Sequence, residues 1–241
     1  MTSFIRNVMM HWQRKFGPYV VEVDGILIDF RSISSSSVRA LLIKGRYEQD
    51  ERRLLKKAVS KGDQVVELGA GIGLIGLIAS NLAGPDGGVI SFEANPSLEH
   101  VIRKNYSLNS LAPMLEMKAV DEFGVGVDFL VSKDILGSSA EKFPSGDNTK
   151  EIVASVALDE VVNQYKPDVL IMDIEGSEVS LLNCKSLDHV QRVLVEMHPR
   201  ILGADICKNI EKVMIDRGFV SIDRAGDNIL FGRQCGASNI A

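Results

Sequence analysis

Apolar residues in this chain fall into short runs separated by polar and glycine-rich segments, and the pattern changes near residue 64. Ahead of that point, residues 19–23 and 26–30 are rich in β-branched side chains and are joined by Asp24-Gly25. Both joining residues tolerate positive φ, which predicts a two-residue β-hairpin. Residues 48–61 are charged, with Leu54, Leu55, Ala58 and Val59 at helical spacing and a stop at Lys61-Gly62-Asp63. From Gln64 onward the runs at 65–68, 89–93, 114–120, 168–173 and 193–198 alternate with stretches that predict helices at 74–82, 96–109, 178–182 and 206–217. Runs apolar on both faces, alternating with helices, predict an α/β fold with a mostly parallel sheet covered on both sides. The tail differs: residues 219–223 and 229–231 flank Gly226-Asp227-Asn228, which predicts a closing antiparallel hairpin. Residues 125–131 and 152–157 read as strands of an insertion around the polar stretch 138–150. Gly137-Ser138-Ser139 there makes Ser138 a candidate substrate contact, although such stretches are more often solvated loops. This divides the chain into a helix-and-hairpin extension, residues 1–60, and one ligand-binding α/β domain, residues 61–241.

Composition narrows the class. The chain has 241 residues, 45% hydrophobic and 24% charged, and a net charge of −5, as a soluble globular protein does. An acidic balance argues against binding along a nucleic-acid backbone, which needs a basic excess. The 3 cysteines are scattered, which points to reduced thiols in the cytoplasm and to neither a disulfide framework nor a zinc site. No apolar stretch approaches the ~20 residues that span a bilayer, so no membrane association is expected. The first residues, MTSFIRNVMMHWQRKF, carry charges too early for a signal-peptide core and read as an amphipathic helix. Met9, Met10 and Trp12 in it have either the chain's own core or a second subunit to pack against, which leaves an oligomer open.

The sharpest local signal is Glu67-Leu68-Gly69-Ala70-Gly71-Ile72-Gly73, where a strand turns into a helix. Glycines there let the backbone turn tightly and pass close under a ligand. Gly71-Ile72-Gly73-Leu74-Ile75-Gly76 also satisfies the dinucleotide pattern GxGxxG, with Glu93 about 20 residues on as a ribose partner. The surroundings favour S-adenosylmethionine. Glu67 would repel a pyrophosphate but hold an ammonium and a sulfonium, and Glu93 suits the ribose of either ligand. The later strand ends carry Asp173, Glu175, Glu196 and His198, groups suited to taking a proton. With Asp121, these acids lie at the carboxyl edge of the sheet, where open parallel sheets bind ligands.

At this point the chain resembles the FkbM-type S-adenosylmethionine-dependent methyltransferases. The resemblance rests on Gly45-Arg46-Tyr47-Glu48, the ELGAGIGL loop, Phe92-Glu93-Ala94-Asn95-Pro96 and the asparagines Asn105 and Asn109. It continues through Leu158-Asp159-Glu160, the segment Asp173-Ile174-Glu175-Gly176-Ser177-Glu178, and Val195-Glu196-Met197-His198-Pro199. Two positions depart from the family pattern. Gly71 stands where asparagine is common, and Ile171 where lysine is common, so no lysine role carries over. The resemblance implies a Rossmann-like methyltransferase fold. It also implies methyl transfer to a hydroxyl of a sugar, polyketide or similar small metabolite, with S-adenosylhomocysteine as product. Cofactor contacts are then expected from Glu67, Gly69, Ala70, Gly71, Gly73, Glu93, Ala94, Asn95, Asp121 and Asp173.

Methyl transfer is an in-line displacement at an already activated carbon, so holding the acceptor close and collinear dominates catalysis, with a worth of up to ~7–11 kcal/mol. A hydroxyl acceptor must also lose its proton. His198, with an ordinary pKa near neutrality, is the first candidate base and Asp173 the second. Tyr47, Ser138, Glu175 and Glu196 are the candidate acceptor contacts, while Glu175 and Glu178 are also expected to shape the loop and cap the next helix. Asp173, Glu175, Glu196 and His198 offer donors suited to a divalent ion, but their spacing is not diagnostic and no metal is assigned. Two alternatives stay open at this stage: an NAD(P)-dependent oxidoreductase using the shifted glycine frame, and a binding module that kept the fold and lost catalysis.

Overall fold

A computed structural model describes residues 19–131, 149–174 and 176–234. The expected N-terminal helix with Met9, Met10 and Trp12, the candidate contacts Ser138 and Glu175, and Cys235 lie outside the described residues.

The elements follow the predicted alternation. The opening hairpin is β1 (Val20–Val23) and β2 (Ile26–Asp29), followed by helices α1 (Ser36–Ile43) and α2 (Gln49–Ala58). Asp24 and Gly25 both take positive φ, 51° and 82°, as a two-residue turn requires. Next come β3 (Gln64–Leu68), α3 (Leu74–Ala83), β4 (Gly88–Phe92), α4 (Glu99–Ser107) and β5 (Met114–Glu116). The insertion holds β6 (Ala119–Asp121), β7 (Val127–Val131), β8 (Thr149–Val153) and β9 (Ser155–Ala157). The chain then forms α5 (Leu158–Tyr165), β10 (Val169–Met172), α6 (Ser180–Asn183), β11 (Arg192–Glu196), α7 (Pro199–Leu202) and α8 (Ala204–Asp216). It closes with β12 (Phe219–Ala225) and β13 (Asn228–Arg233).

The main sheet has the order β12-β13-β11-β10-β3-β4-β5. Pairings within β11-β10-β3-β4-β5 are all parallel, and β13 is antiparallel to both its neighbours. The chain winds outward from β3 through β4 to β5, then returns to lay β10 and β11 on the other side. That places the topological switch between β3 and β10, where the crevice of a doubly wound sheet forms.

Two apolar clusters sandwich this sheet. One gathers the hairpin and α1 to α4 over Val65, Val169, Ile171, Leu194 and Leu230. The other gathers α5, α6 and α8 over Val66, Leu170, Val193, Val195, Ile229 and Phe231. Ile171, where the family pattern carries lysine, is core. In α2, Leu54, Leu55 and Ala58 are fully buried against the first face, each leucine contributing about 1.5–3 kcal/mol of apolar burial. Residues 19–60, expected as an extension, thus share the core of the main sheet. Asn105 fastens them further, accepting from the Asp29 N–H at 2.9 Å and donating to the Ile72 carbonyl at 2.9 Å. Asn109 adds a two-way bridge to the backbone of Leu27, 3.0 Å each way.

Two expectations change. The run 114–120 is two strands: after the Glu116 carbonyl accepts from the Glu93 N–H at 3.0 Å, the chain leaves the sheet and β6 pairs instead with β9. Asp121 therefore does not end a strand of the main sheet. Within the serines at 34–37 the Ser35 hydroxyl N-caps α1 by accepting from the Val38 N–H. Among the described residues, no helix is long and apolar enough to cross a membrane.

Candidate active site at the strand ends

The glycine loop lies at the switch point. Gly69 has φ +92°, and a Cβ added there would collide with the Asp173 carbonyl, so β3 and β10 approach as closely as glycine permits. The Asp173 N–H donates to the Leu68 carbonyl at 2.9 Å and joins the two strand ends.

Most loop N–H groups already have partners. Those of Gly69 and Ala70 donate to the Phe92 carbonyl at 2.9 and 3.0 Å, and that of Gly73 to the Ala70 carbonyl at 2.7 Å. The Gly71 N–H donates to Glu93 at 2.8 Å, and the Asn95 N–H reaches the other oxygen of that carboxylate at 2.7 Å. Glu93 is thereby held against the loop. Burial raises its pKa, while the N–H groups of Asn95, Gly71, Ala70 and Ala94 oppose that shift. Asn95 caps the following turn by accepting from the Ser97 N–H at 3.0 Å, and Ala94 packs beside Ala119 and Val153.

Glu67 corrects an expectation. Alternation along β3 sends its side chain under α3, where it is 1% exposed and accepts from the Ser91 hydroxyl. Burial pushes its pKa up to about 8, so at neutral pH it keeps its proton and does not present the standing charge expected of it. Its Oε1 has no protein partner. Asp121 is committed elsewhere, accepting from the Phe123 N–H at 2.9 Å and the Ser155 hydroxyl at 3.0 Å.

The ends of β10 and β11 gather the reactive groups. His198 Nδ1 lies 2.7 Å from Glu178 Oε1, and His198 Nε2 lies 3.5 Å from Asp173 Oδ1. Glu178 is fully buried and also accepts from the Gly176 N–H at 2.9 Å. Beyond capping, it therefore grips the imidazole, a partnership across 20 residues that the sequence did not signal. Burial alone would lower the His198 pKa, but the bond to Glu178 and the charges of Asp173 and Glu196 outweigh it and raise it to about 9. The near-neutral titration expected for His198 is thus corrected: at neutral pH the ring is protonated. Asp173 is raised by burial to about 6, with the His198 charge opposing, and so is mostly ionised. Burial raises Glu196 to about 7.

A second acidic wall was missed. Tyr47 is buried, and a Cβ on Gly71 would lie 3.6 Å from its hydroxyl and 3.9 Å from Glu48 Oε1. Burial pushes the Tyr47 hydroxyl up and raises Glu48 to about 8. Glu51, 3% exposed, is likewise raised by burial. The neighbouring Arg52 turns away, donating to the Tyr47 and Gly45 carbonyls at 2.9 and 2.8 Å and pairing with Asp24. The one available signal was a pair of glutamates three apart beside arginines in GRYEQDERR.

The leading charges acting on Glu48, Glu51, Asp173 and Glu196 are one another's carboxylates and their acidic neighbours, with His198 as the cation. Burial raises all four, so the crevice gathers carboxyl groups of which Asp173, at about 6, is the one mostly ionised at neutral pH. Fold and site together define a Rossmann-like nucleoside-cofactor protein of the methyltransferase type.

One comparison with known proteins shows the family. The model of the methyltransferase FkbM domain matches residues 67–221. The chain belongs to this family of S-adenosylmethionine-dependent methyltransferases, and the oxidoreductase reading is set aside. A curated relative, the arsenite methyltransferase of Halobacterium salinarum, is 25% identical over 150 residues, 58% of this chain. The chain spans only 38% of that relative's length. Among solved structures, M. jannaschii TYW2 in complex with AdoMet is similar at 17% identity and TM-score 0.45, over 89% of this chain and 86% of that one. A methyltransferase from Pyrococcus furiosus is similar at 14% identity and TM-score 0.46, over 95% and 97%.

Proposed function

We propose that this protein transfers a methyl group from S-adenosylmethionine to a hydroxyl oxygen of a small molecule, releasing S-adenosylhomocysteine. The observation that carries this reading is the Asp173–His198–Glu178 array beside the glycine loop. When bound, S-adenosylmethionine supplies an electrophilic methyl group on a sulfonium. In this reading Glu93 holds its ribose and Asp173 faces its positive charge.

The chain's own residues then divide the work. Asp173, ionised at neutral pH, takes the proton of the acceptor hydroxyl. Protonated His198, locked by Glu178, keeps that carboxylate charged and oriented. Tyr47 and Glu196 border the acceptor's space. A crevice walled by carboxylates favours neutral or cationic acceptors, so a sugar-like or polyol hydroxyl fits better than a phosphorylated or nucleic-acid substrate. A soft acceptor such as arsenite finds little here. Cys184 and Cys207 are buried and free, and burial pushes the Cys184 thiol up to about 12, which removes the thiolate such chemistry needs. Reduced thiols also support a cytoplasmic setting.

The test is to incubate the chain with methyl-labelled S-adenosylmethionine and a panel of sugars, polyols and hydroxylated lactones, and to locate the label by mass spectrometry. Label on oxygen is expected. Label found only on nitrogen, carbon or arsenic would overturn the reading.

A further inference from the structure

The strand ends hold a group of side chains whose geometry goes beyond acid–base work. Asp173, Glu196 and His198 each place one donor atom within 4.8 Å of the others. His198 Nε2 and Asp173 Oδ1 are 3.5 Å apart. Donors bound to one ion at ~2.0–2.2 Å lie about 3 Å apart when adjacent and about 4 Å when opposite, so this spacing already falls in the range of a coordination shell.

Two independent features point the same way. First, the other ring nitrogen of His198 is held at 2.7 Å by Glu178, which is itself fully buried and fixed by the Gly176 N–H. A carboxylate behind the imidazole is the usual outer shell of a metal-bound histidine, fixing the tautomer that aims Nε2 at the ion. Second, Asn228 stands directly across from Glu196 in the β11–β13 pairing. Directly opposed residues of an antiparallel pair project to the same face. Asn228 is 6% exposed, and its Oδ1 has no protein partner. Asn228 thus carries a buried amide oxygen without a protein donor on the same side of the sheet as Glu196, an oxygen available to a cation.

We propose that Asp173, Glu196 and His198, with the Asn228 carbonyl oxygen beside them, form a divalent-cation site that anchors the oxygen of the methyl acceptor. Two carboxylates and one imidazole suit Mn²⁺ or Zn²⁺ better than Mg²⁺, which prefers an all-oxygen shell. The site rests on the O-methylation reading only for its role; its existence as an ion site stands apart. Binding the ion displaces the proton from His198 Nε2, so the ion takes that proton's place in holding Asp173 charged. Asp173 keeps a second carboxylate oxygen for the acceptor's proton, and the ion acidifies the hydroxyl it holds. Acceptors offering two neighbouring uncharged oxygens, such as a vicinal diol or an α-hydroxy ketone, then become preferred because they chelate.

The test is a titration of the purified chain with Mn²⁺ followed by electron paramagnetic resonance, with S-adenosylhomocysteine binding measured in parallel by calorimetry. One bound Mn²⁺ per chain is expected, lost in His198→Ala and in Glu196→Gln. In Glu178→Gln the affinity should fall about 10–100-fold, the usual cost of removing an outer-shell partner, and Asn228→Ala should weaken it less. Retained S-adenosylhomocysteine binding in each variant shows that the fold persists. Millimolar or weaker Mn²⁺ binding, or binding unchanged by His198→Ala, would overturn the site. Mn²⁺ binding without any label on oxygen leaves the site standing and defeats the O-methylation reading. Methyl transfer to oxygen that resists chelation, in a chain that binds no Mn²⁺, does the reverse.

Discussion

The two sides of the crevice are built on opposite plans. On the β3–β4 side the loop and Glu93 are paired with backbone: Glu93 is pinned by the Gly71 and Asn95 N–H groups, and Gly69 and Ala70 are tied to Phe92, with Glu67 Oε1 buried beneath them as the exception. On the β10–β11 side, Asp173, Glu196 and His198 answer chiefly to one another, and the Asn228 Oδ1 has no protein partner. The first side is a preformed cradle whose cost was met in folding. The second stores unbalanced charge that a ligand can relieve. A cofactor shared by a whole family suits the first plan, and a reacting group suits the second.

Substitutions on each side should therefore fail differently. The largest effect is expected from Asp173→Asn, which keeps the shape and removes the proposed proton acceptor. Turnover on a hydroxyl acceptor should fall about 10²–10⁴-fold, with S-adenosylhomocysteine affinity far less affected in calorimetry. Equal losses in both would erase the division between the two sides. Gly69→Ala should do the opposite. Its added Cβ meets the Asp173 carbonyl at φ +92°, costing about 3 kcal/mol and lowering the melting temperature by about 6–12 °C. Wild-type melting in that variant would show that the close approach is dispensable.

Glu67→Gln tests the buried acid beneath the cradle. Folded Glu67 keeps its proton up to about 8, whereas the unfolded group gives it up near 4.5. The folded chain thus binds more protons across that window, and stability declines as pH rises through it. Glutamine still accepts from Ser91 but cannot ionise. The variant should match the wild type at pH 4 and exceed it by about 2 kcal/mol at pH 6, read from melting curves across pH. A constant difference at all pH values would mean that Glu67 titrates normally. The smallest effect is expected from Asn109→Ala, which removes the bridge to Leu27 and should cost about 1 kcal/mol, seen as faster hydrogen exchange in β2.

The same contrast explains what the sequence disclosed. The cradle is local: the Glu67–Gly73 loop, Glu93 and the alternation of runs and helices all lie in stretches whose spacing carries the information. So does the hairpin, because Asp24-Gly25 names its own turn. The strand ends are nonlocal. Asp173, Glu196 and His198 were singled out one at a time, but Glu178 read as a helix cap until folding brought it to His198. Glu48 and Glu51 read as ordinary helix-surface acids because only tertiary packing buries them. The charge on His198 was misjudged for the same reason, since two of the three carboxylates that set its pKa, Asp173 and Glu178, come from the stretch that follows β10 and reach it only in the fold. The single run at 114–120 misled because apolar spacing cannot show where a strand changes partners.

Asn105 carries a final consequence. Its carboxamide spans from the Asp29 N–H to the Ile72 carbonyl with one acceptor and one donor. Aspartate has no donor, glutamine is one methylene too long, and serine reaches only one of the two. The side chain works as a gauge block between the first hairpin and the cofactor loop, and its length sets how far apart those two parts of the chain can stand.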